Sequence, residues 1–278
     1  MKLPLITALA AILPALLGLN AIAPAAVHAG FCYAYNGTVG FTTGNATCTA
    51  DPGGNFALAV GEGADAVATE GAGNVAIAVG DGSSAWAGVG DNNTALALSS
   101  RYARAGYGNN NSAVALDNGA ATAAFGNGNT AFASSGSDAI ARRGNDNTAF
   151  ASHDSSATAV EGNHNTAIAL NGSTASSRYG NNNRALAFMD SRAFAEFGDS
   201  HSAFASQSST AYAGSNGDNN TAVAYRDSYA SAGEGSDNTA VAFNRSNALA
   251  EWGDGNTSLA LDHCNIGISG SGQTGVCP

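Results

Sequence analysis

Lysine is almost missing from this chain. Lys2 is the only one, set against nine arginines and 21 acidic residues, and the formal net charge is −11. A surface without a basic cluster disfavours nucleic acid and anionic membranes as partners. Proline is missing from Gly53 to Cys277, as expected where each backbone N–H bonds to a neighbouring strand. Beyond the first 29 residues no apolar run is long enough to span a membrane. Catalytic signatures are lacking too. There is no Gly-x-Ser-x-Gly elbow, no carboxylate cluster recurs on one face, and the five histidines have no ligand spacing. No catalytic, cofactor-binding or metal-binding residue is therefore assigned, and the chain reads as a non-enzyme without cofactors.

What the chain has instead is a repeat. The unit is clearest from Gly217 to Glu234, GDNNTAVAYRDSYASAGE, and copies begin at Pro52, Gly71, Gly90, Gly108, Gly126, Gly144, Gly162, Gly180, Gly198, Gly217, Gly235 and Gly253. The period is 18 residues, or 19 in the copies at Pro52, Gly71 and Gly198. An extra residue in a turn leaves the register of such a repeat intact. Position 4 is Asn in eleven copies and His201 in the other, which allows an Asn ladder along one edge. Glycine at position 1 suits a corner of positive φ.

Positions 5 to 9 alternate strictly, the pattern of a strand and not of a helix. Alanine favours helix, but a period of 18 is too short for a helix-turn-helix repeat. Position 7 is always large and apolar, from Leu58 to Leu259, and position 9 mostly so, while positions 6 and 8 are almost always Ala. Hydrophobicity alone predicts that 5, 7 and 9 face inward and that the Ala columns face out. In the second half, Ser, Ala and Ala at 12, 14 and 16 are expected inside, with variable residues at 13 and 15 outside. The predicted fold is all-β: a parallel β-solenoid, flattened into a two-sheet roll of about twelve coils, large residues of one sheet meeting small ones of the other.

Residues 1–29 read as a secretory signal peptide, with Lys2 before an apolar stretch and Val27-His28-Ala29 at the cleavage site. Residues 30–51 and 265–278 are non-repetitive and are expected to cap a repeat domain at 52–264, since a solenoid leaves a sheet edge open at each end. Each end holds or borders one close cysteine pair, Cys32 with Cys48 and Cys264 with Cys277. A rod keeps its ends far beyond the roughly 7 Å Cα separation of a disulfide, so local pairing is predicted. No membrane span is expected after removal of the signal. The expected location is secreted, extracellular or at the cell surface.

Two further features call for a functional reading. Scattered acids, Asp91, Asp199, Asp218 and Asp254 at position 2 and Asp154, Asp190 and Asp227 at position 11, raise a calcium-dependent β-roll. They skip most coils, so turn formation explains them better. Position 18 carries Tyr107, Phe125, Tyr179, Phe197 and Trp252, a partial strip able to stack on sugar rings or simply to close a corner.

At 220–225 (NTAVAY), 165–170 (NTAIAL) and 74–79 (NVAIAV) the units resemble the head repeats of trimeric autotransporter adhesins, whose similar motifs build a β-roll. The resemblance covers 52–261 and implies a structural or adhesive role. It departs from that family in its longer coil and in lacking a heptad stalk and a membrane barrel, so that family's anchoring route is not expected. The short signal, Ala-rich coils and terminal Cys pairs also resemble uncharacterised secreted Ala-rich repeat proteins of actinobacteria in composition.

The leading expectation is a secreted or cell-surface structural or adhesive repeat protein. The alternatives are an ice- or crystal-surface binder and a calcium-dependent roll. The predicted association face is the outward Ala columns, Ala167 with Ala169, Ala185 with Ala187 and Ala222 with Ala224. It would serve a homo-oligomer or a cell-surface or wall component.

Overall fold

The computed structural model describes residues 30–278, so the signal peptide expected at 1–29 lies outside the described residues. These form 28 strands in two sheets and no helix. From Asp51 onward each coil lays one strand in each sheet, and successive coils pair in parallel: Thr148↔Thr166↔Arg184 in the first sheet, Ser156↔Thr174↔Arg192 in the second. The predicted parallel β-solenoid is the observed fold. The 19-residue copies keep this register, with Phe56↔Val75, Val75↔Thr94 and Ser202↔Thr221.

Both disulfides pair locally, Cys32 with Cys48 and Cys264 with Cys277, at Cα separations of 5.7 and 6.0 Å. At the N-terminal end, Phe31–Tyr35 and Thr38–Thr43 form an antiparallel hairpin that covers the edge strand Phe56–Val60. The C-terminal segment does not break the repeat. Asn265–Ile268 and Thr274–Cys277 extend the two sheets in register, with Gln273 standing where other coils have Asn.

The interior overturns half of the expected facing. Ala167, Ala169, Ala185, Ala187, Ala222 and Ala224 are buried, none more than 1% exposed, and the position-7 and position-9 side chains lie outside. The second sheet faces as predicted, with Ser and Ala inward and positions 13 and 15 outward. The apolar core is thus Ala on Ala, and the largest fully buried side chains are eleven asparagines and His201. Parity within the strand explains the reversal. Position 4 points inward, so by the two-residue alternation 6 and 8 must also. The turn at positions 10 and 11 then closes the sheets too tightly for a phenylalanine. In nine of the twelve coils its two residues are both left-handed, as in His153 (φ 58°) and Asp154 (φ 53°), the geometry of a tight two-residue turn.

Two polar ladders hold the coils in line. Asn165 donates its own N–H to Asn147 Oδ1 at 2.9 Å. Its Oδ1 accepts the Asn183 N–H at 3.0 Å, and its Nδ2 donates to the Gly180 carbonyl at 2.8 Å. The ladder runs inside the rod and not along its edge, satisfying backbone groups that the corner would otherwise orphan. At the opposite corner Ser191 Oγ accepts the Ser209 N–H at 3.1 Å and donates to the Met189 carbonyl at 3.2 Å. Glycine at position 1 is required by packing as well as by φ. A Cβ on Gly144 (φ 150°) would collide with the Gly162 carbonyl oxygen of the next coil.

His201 interrupts the Asn ladder. Its Nδ1 accepts the Asn220 N–H at 3.2 Å, but buried Nε2 has no partner meeting hydrogen-bond geometry. Gly214 lies against the ring, where any Cβ would overlap it, and the extra residue of this coil falls beside it at 214–216. Burial lowers the His201 pKa from the ordinary 6.5, opposed by contacts with the Phe197 and Gly217 backbone and by Asp218 and Asp199.

These observations set two expectations. Ala224→Asp should unfold the rod or cost more than about 3 kcal/mol, because it buries an unpaired carboxylate. Val223→Asp, on the outer face, should cost about 1 kcal/mol or less. Thermal melts of the pair check the facing. For the ladder, Asn165→Leu orphans Asn183 N–H and the Gly180 carbonyl and should cost about 2–4 kcal/mol. The depressed His201 pKa means that the unfolded chain binds the proton more readily. Its contribution is intact above the unfolded value and is lost as pH falls from there through the folded pKa. His201→Asn should restore the ladder and flatten the acid limb of a stability-against-pH curve.

Candidate interaction surface

With the Ala columns inside, the outward face of the first sheet carries positions 5, 7 and 9 of every coil. Column 5 is mostly Thr (Thr94, Thr130, Thr148, Thr166, Thr221, Thr239, Thr257), column 7 is large and apolar throughout, and column 9 is Leu, Val or aromatic, with three serines. Of these 36 positions in twelve coils, Arg184 alone is charged. The position-7 side chains are half-buried, because each shields its neighbours one coil away. At about 4.8 Å per coil and about 3.3 Å per residue, the strip is roughly 58 Å long and 13 Å wide. Contiguous apolar faces of this size mark interaction sites on soluble proteins. The outer face of the second sheet differs in kind, mixing Asp138, Ile140, Arg192, Phe194, Tyr229 and Leu249.

Side-chain size is balanced within each coil of the apolar face. Where position 7 is Phe, position 9 is Ser: Phe132 with Ser134, Phe150 with Ser152, Phe204 with Ser206. Where position 9 is aromatic, position 7 is Leu or Val: Leu186 with Phe188, Val223 with Tyr225, Val241 with Phe243. The face is kept level. Reading columns 7 and 9 as core concealed this signal, since the same balance would serve an interior.

The other candidate residues are placed as follows. Tyr107 and Phe125 stack at 4.6 Å and 6°, and Tyr179 and Phe197 at 4.7 Å and 9°. Each of these pairs covers one face of each ring, whereas Trp252 of the same column is exposed and stacks on no other ring among the described residues. Arg104 lies 4.8 Å from the Trp86 ring and 5.0 Å from Tyr107, extending the first stack. The acids of position 2 are turn acceptors. Asp91 takes the Ala72 N–H, Asp199 the Asn181 N–H, Asp218 the Asp199 N–H and Asp254 the Ser236 N–H, at 2.6 to 2.8 Å. Asn109, Asn127, Asn145, Asn163 and Asn181 occupy the same place between them, so carboxylate and amide are interchangeable there. Among the described residues no three His, Cys, Asp or Glu side chains form a group able to hold a metal.

No family model, curated protein or solved structure matches this chain.

The position-18 column carries backbone strain. Val89 (φ 52°) and Tyr107 (φ 54°) both sit in the left-handed region, which is costly for any side chain and most of all for a β-branched one. Stacking offsets that cost for Tyr107, whose hydroxyl also accepts from Arg104 at 2.9 Å. Val89 has no such compensation. Val89→Gly should therefore raise stability by about 0.5–1 kcal/mol, whereas Tyr107→Gly should lower it, and paired denaturant titrations distinguish the two.

Proposed function

We propose that this protein is an exported, non-catalytic structural rod that works by lying along an extended partner, and that the apolar outer face of the first sheet is its working surface. The observation that carries the reading is the contrast between 36 outward positions with one charge and the mixed opposite face. The two terminal disulfides support an oxidising compartment, and the resemblance of the repeats to adhesin heads agrees with a structural or adhesive role. No helix of the described residues is long and apolar enough to cross a membrane.

The test is retention on cell walls of the source organism after export. Ile168→Arg with Leu186→Arg should reduce retention at least about tenfold, the equivalent of about 1.4 kcal/mol, with circular dichroism and melting unchanged. Residence of the wild type in the cytoplasm, or equal retention of the variant, overturns the reading.

A second reading is favoured by one specific observation. The Thr column faces out and repeats at the coil spacing, an ordered hydroxyl array next to an apolar one. Such an array fits an ice or mineral lattice, and an ice-recrystallisation assay decides it. Activity in that assay that is lost in Thr148→Lys and Thr166→Lys would favour the lattice over a wall component.

A further inference from the structure

We propose that the occupant of the apolar face is a second copy of this chain, packed sheet on sheet with the rods parallel and a two-fold axis along their length. The inference rests on the working surface named above and specifies its partner. Three observations carry it.

The first is size. A strip of roughly 58 by 13 Å would bury about 750 Å² per partner, close to the roughly 800 Å² of a standard specific interface. The second is the balance of side-chain volume within coils. A solvated face sets no limit on the summed size of its side chains, but a face pressed on another does, because packed interfaces reach interior density. Phe132, Phe150 and Phe204 each lie beside a serine, and no coil carries two aromatics on this face.

The third is the profile across the strip. From the coil at Gly90 onward, column 5 is small apart from Arg184, and column 9 is large apart from its three serines. A two-fold axis along the rod reverses the strand direction while keeping each coil opposite its counterpart. Column 5 of one copy then meets column 9 of the other, and column 7 meets column 7. In six of these ten coils small faces large along both edges, and in the three with Phe at position 7 small faces small while the two phenylalanines meet at the centre. Rods in opposite directions, related by an axis along the strands, would set column 9 on column 9 and column 5 on column 5, leaving a wedge open on one side. The parallel arrangement also places Arg184 over Phe188 of the second copy, a guanidinium on an aromatic ring. The acidic residues of the chain sit on corners and on the opposite face, so the repulsion between two net-negative rods acts across solvent and is screened.

Light scattering on the purified protein across the micromolar range should give a two-chain mass. Ile168→Arg and Leu186→Arg should each return it to one chain with an unchanged melt, while Thr158→Arg, on the outer face of the second sheet, should leave two chains. A one-chain or three-chain mass for the wild type, or arginine variants that stay paired, overturns the proposal. Direction is read separately. A photo-reactive phenylalanine at Phe188 should cross-link to the strip around Arg184 of the second copy, and cross-links to the strip around Thr130–Ser134 instead would overturn the parallel arrangement. If the wild type is one chain yet still loses wall retention with the arginine variants, the apolar face stands as the working surface and only the second copy fails. If neither mass nor retention responds, both readings fall.

Discussion

Everything in this rod follows from how little space lies between its two sheets. In nine of the twelve coils a two-residue corner with both residues left-handed folds the coil back so tightly that the interior between Asp51 and Ala260 accepts Ala, Ser and Asn, and one larger ring, that of His201. An alanine contributes little buried area, so the hydrophobic term per coil is small compared with a domain that buries Leu and Phe. Order therefore depends on hydrogen bonds. Parallel ladders bond each coil to the next on both sheets, and the internal Asn and Ser columns satisfy the corner groups that the ladders leave out. In such a column each coil supplies the partner that its neighbour needs, which makes the array cooperative and its ends vulnerable. The N-terminal hairpin and the two disulfides lie at those ends.

The same constraint produces the surface. A chain of this repeat has large apolar residues on alternate positions of one strand, and an interior too narrow for them leaves only the outside. The result is a slab with a charged and mixed face, a level apolar face, and a strained, partly aromatic corner between coils. Apolar surface placed outward by a steric limit needs a partner to remove it from water, which links packing inside the rod to association outside it.

Much of the architecture was legible in the residues. Period, strand alternation, absence of proline, a corner glycine in eleven of the twelve copies and local cysteine pairing together lead to a parallel solenoid stapled near both ends. The inner face of the second sheet was also readable, because Ser, Ala and Ala at positions 12, 14 and 16 contrast with the varied residues Tyr229, Arg192 and Leu249 outside. In the first sheet hydrophobicity and parity point to opposite faces, and parity prevails. Asn165 and its counterparts carried the correcting signal: an Asn in almost every coil, at even spacing from Ala167 and Ala169, belongs to the same face as they do. The Ser column at position 12 and the pair Tyr179 and Phe197 at position 18 were visible as columns, but their hydrogen bonds and stacking depend on the rise between coils.

By itself, then, the sequence determined the coil, its length, its register and the covalent ends, because these follow from local alternation, turn chemistry and the short reach of a disulfide. Only the tertiary structure decided which face of the first sheet is inside. That choice is set by the distance between two sheets, a quantity fixed by the corner backbone of every coil acting together and absent from any single strand. At that distance Val223 and Phe150 do not fit and Ala224 and Ala151 do, so steric exclusion outweighs hydrophobic transfer and turns the larger side chains toward solvent and whatever covers them.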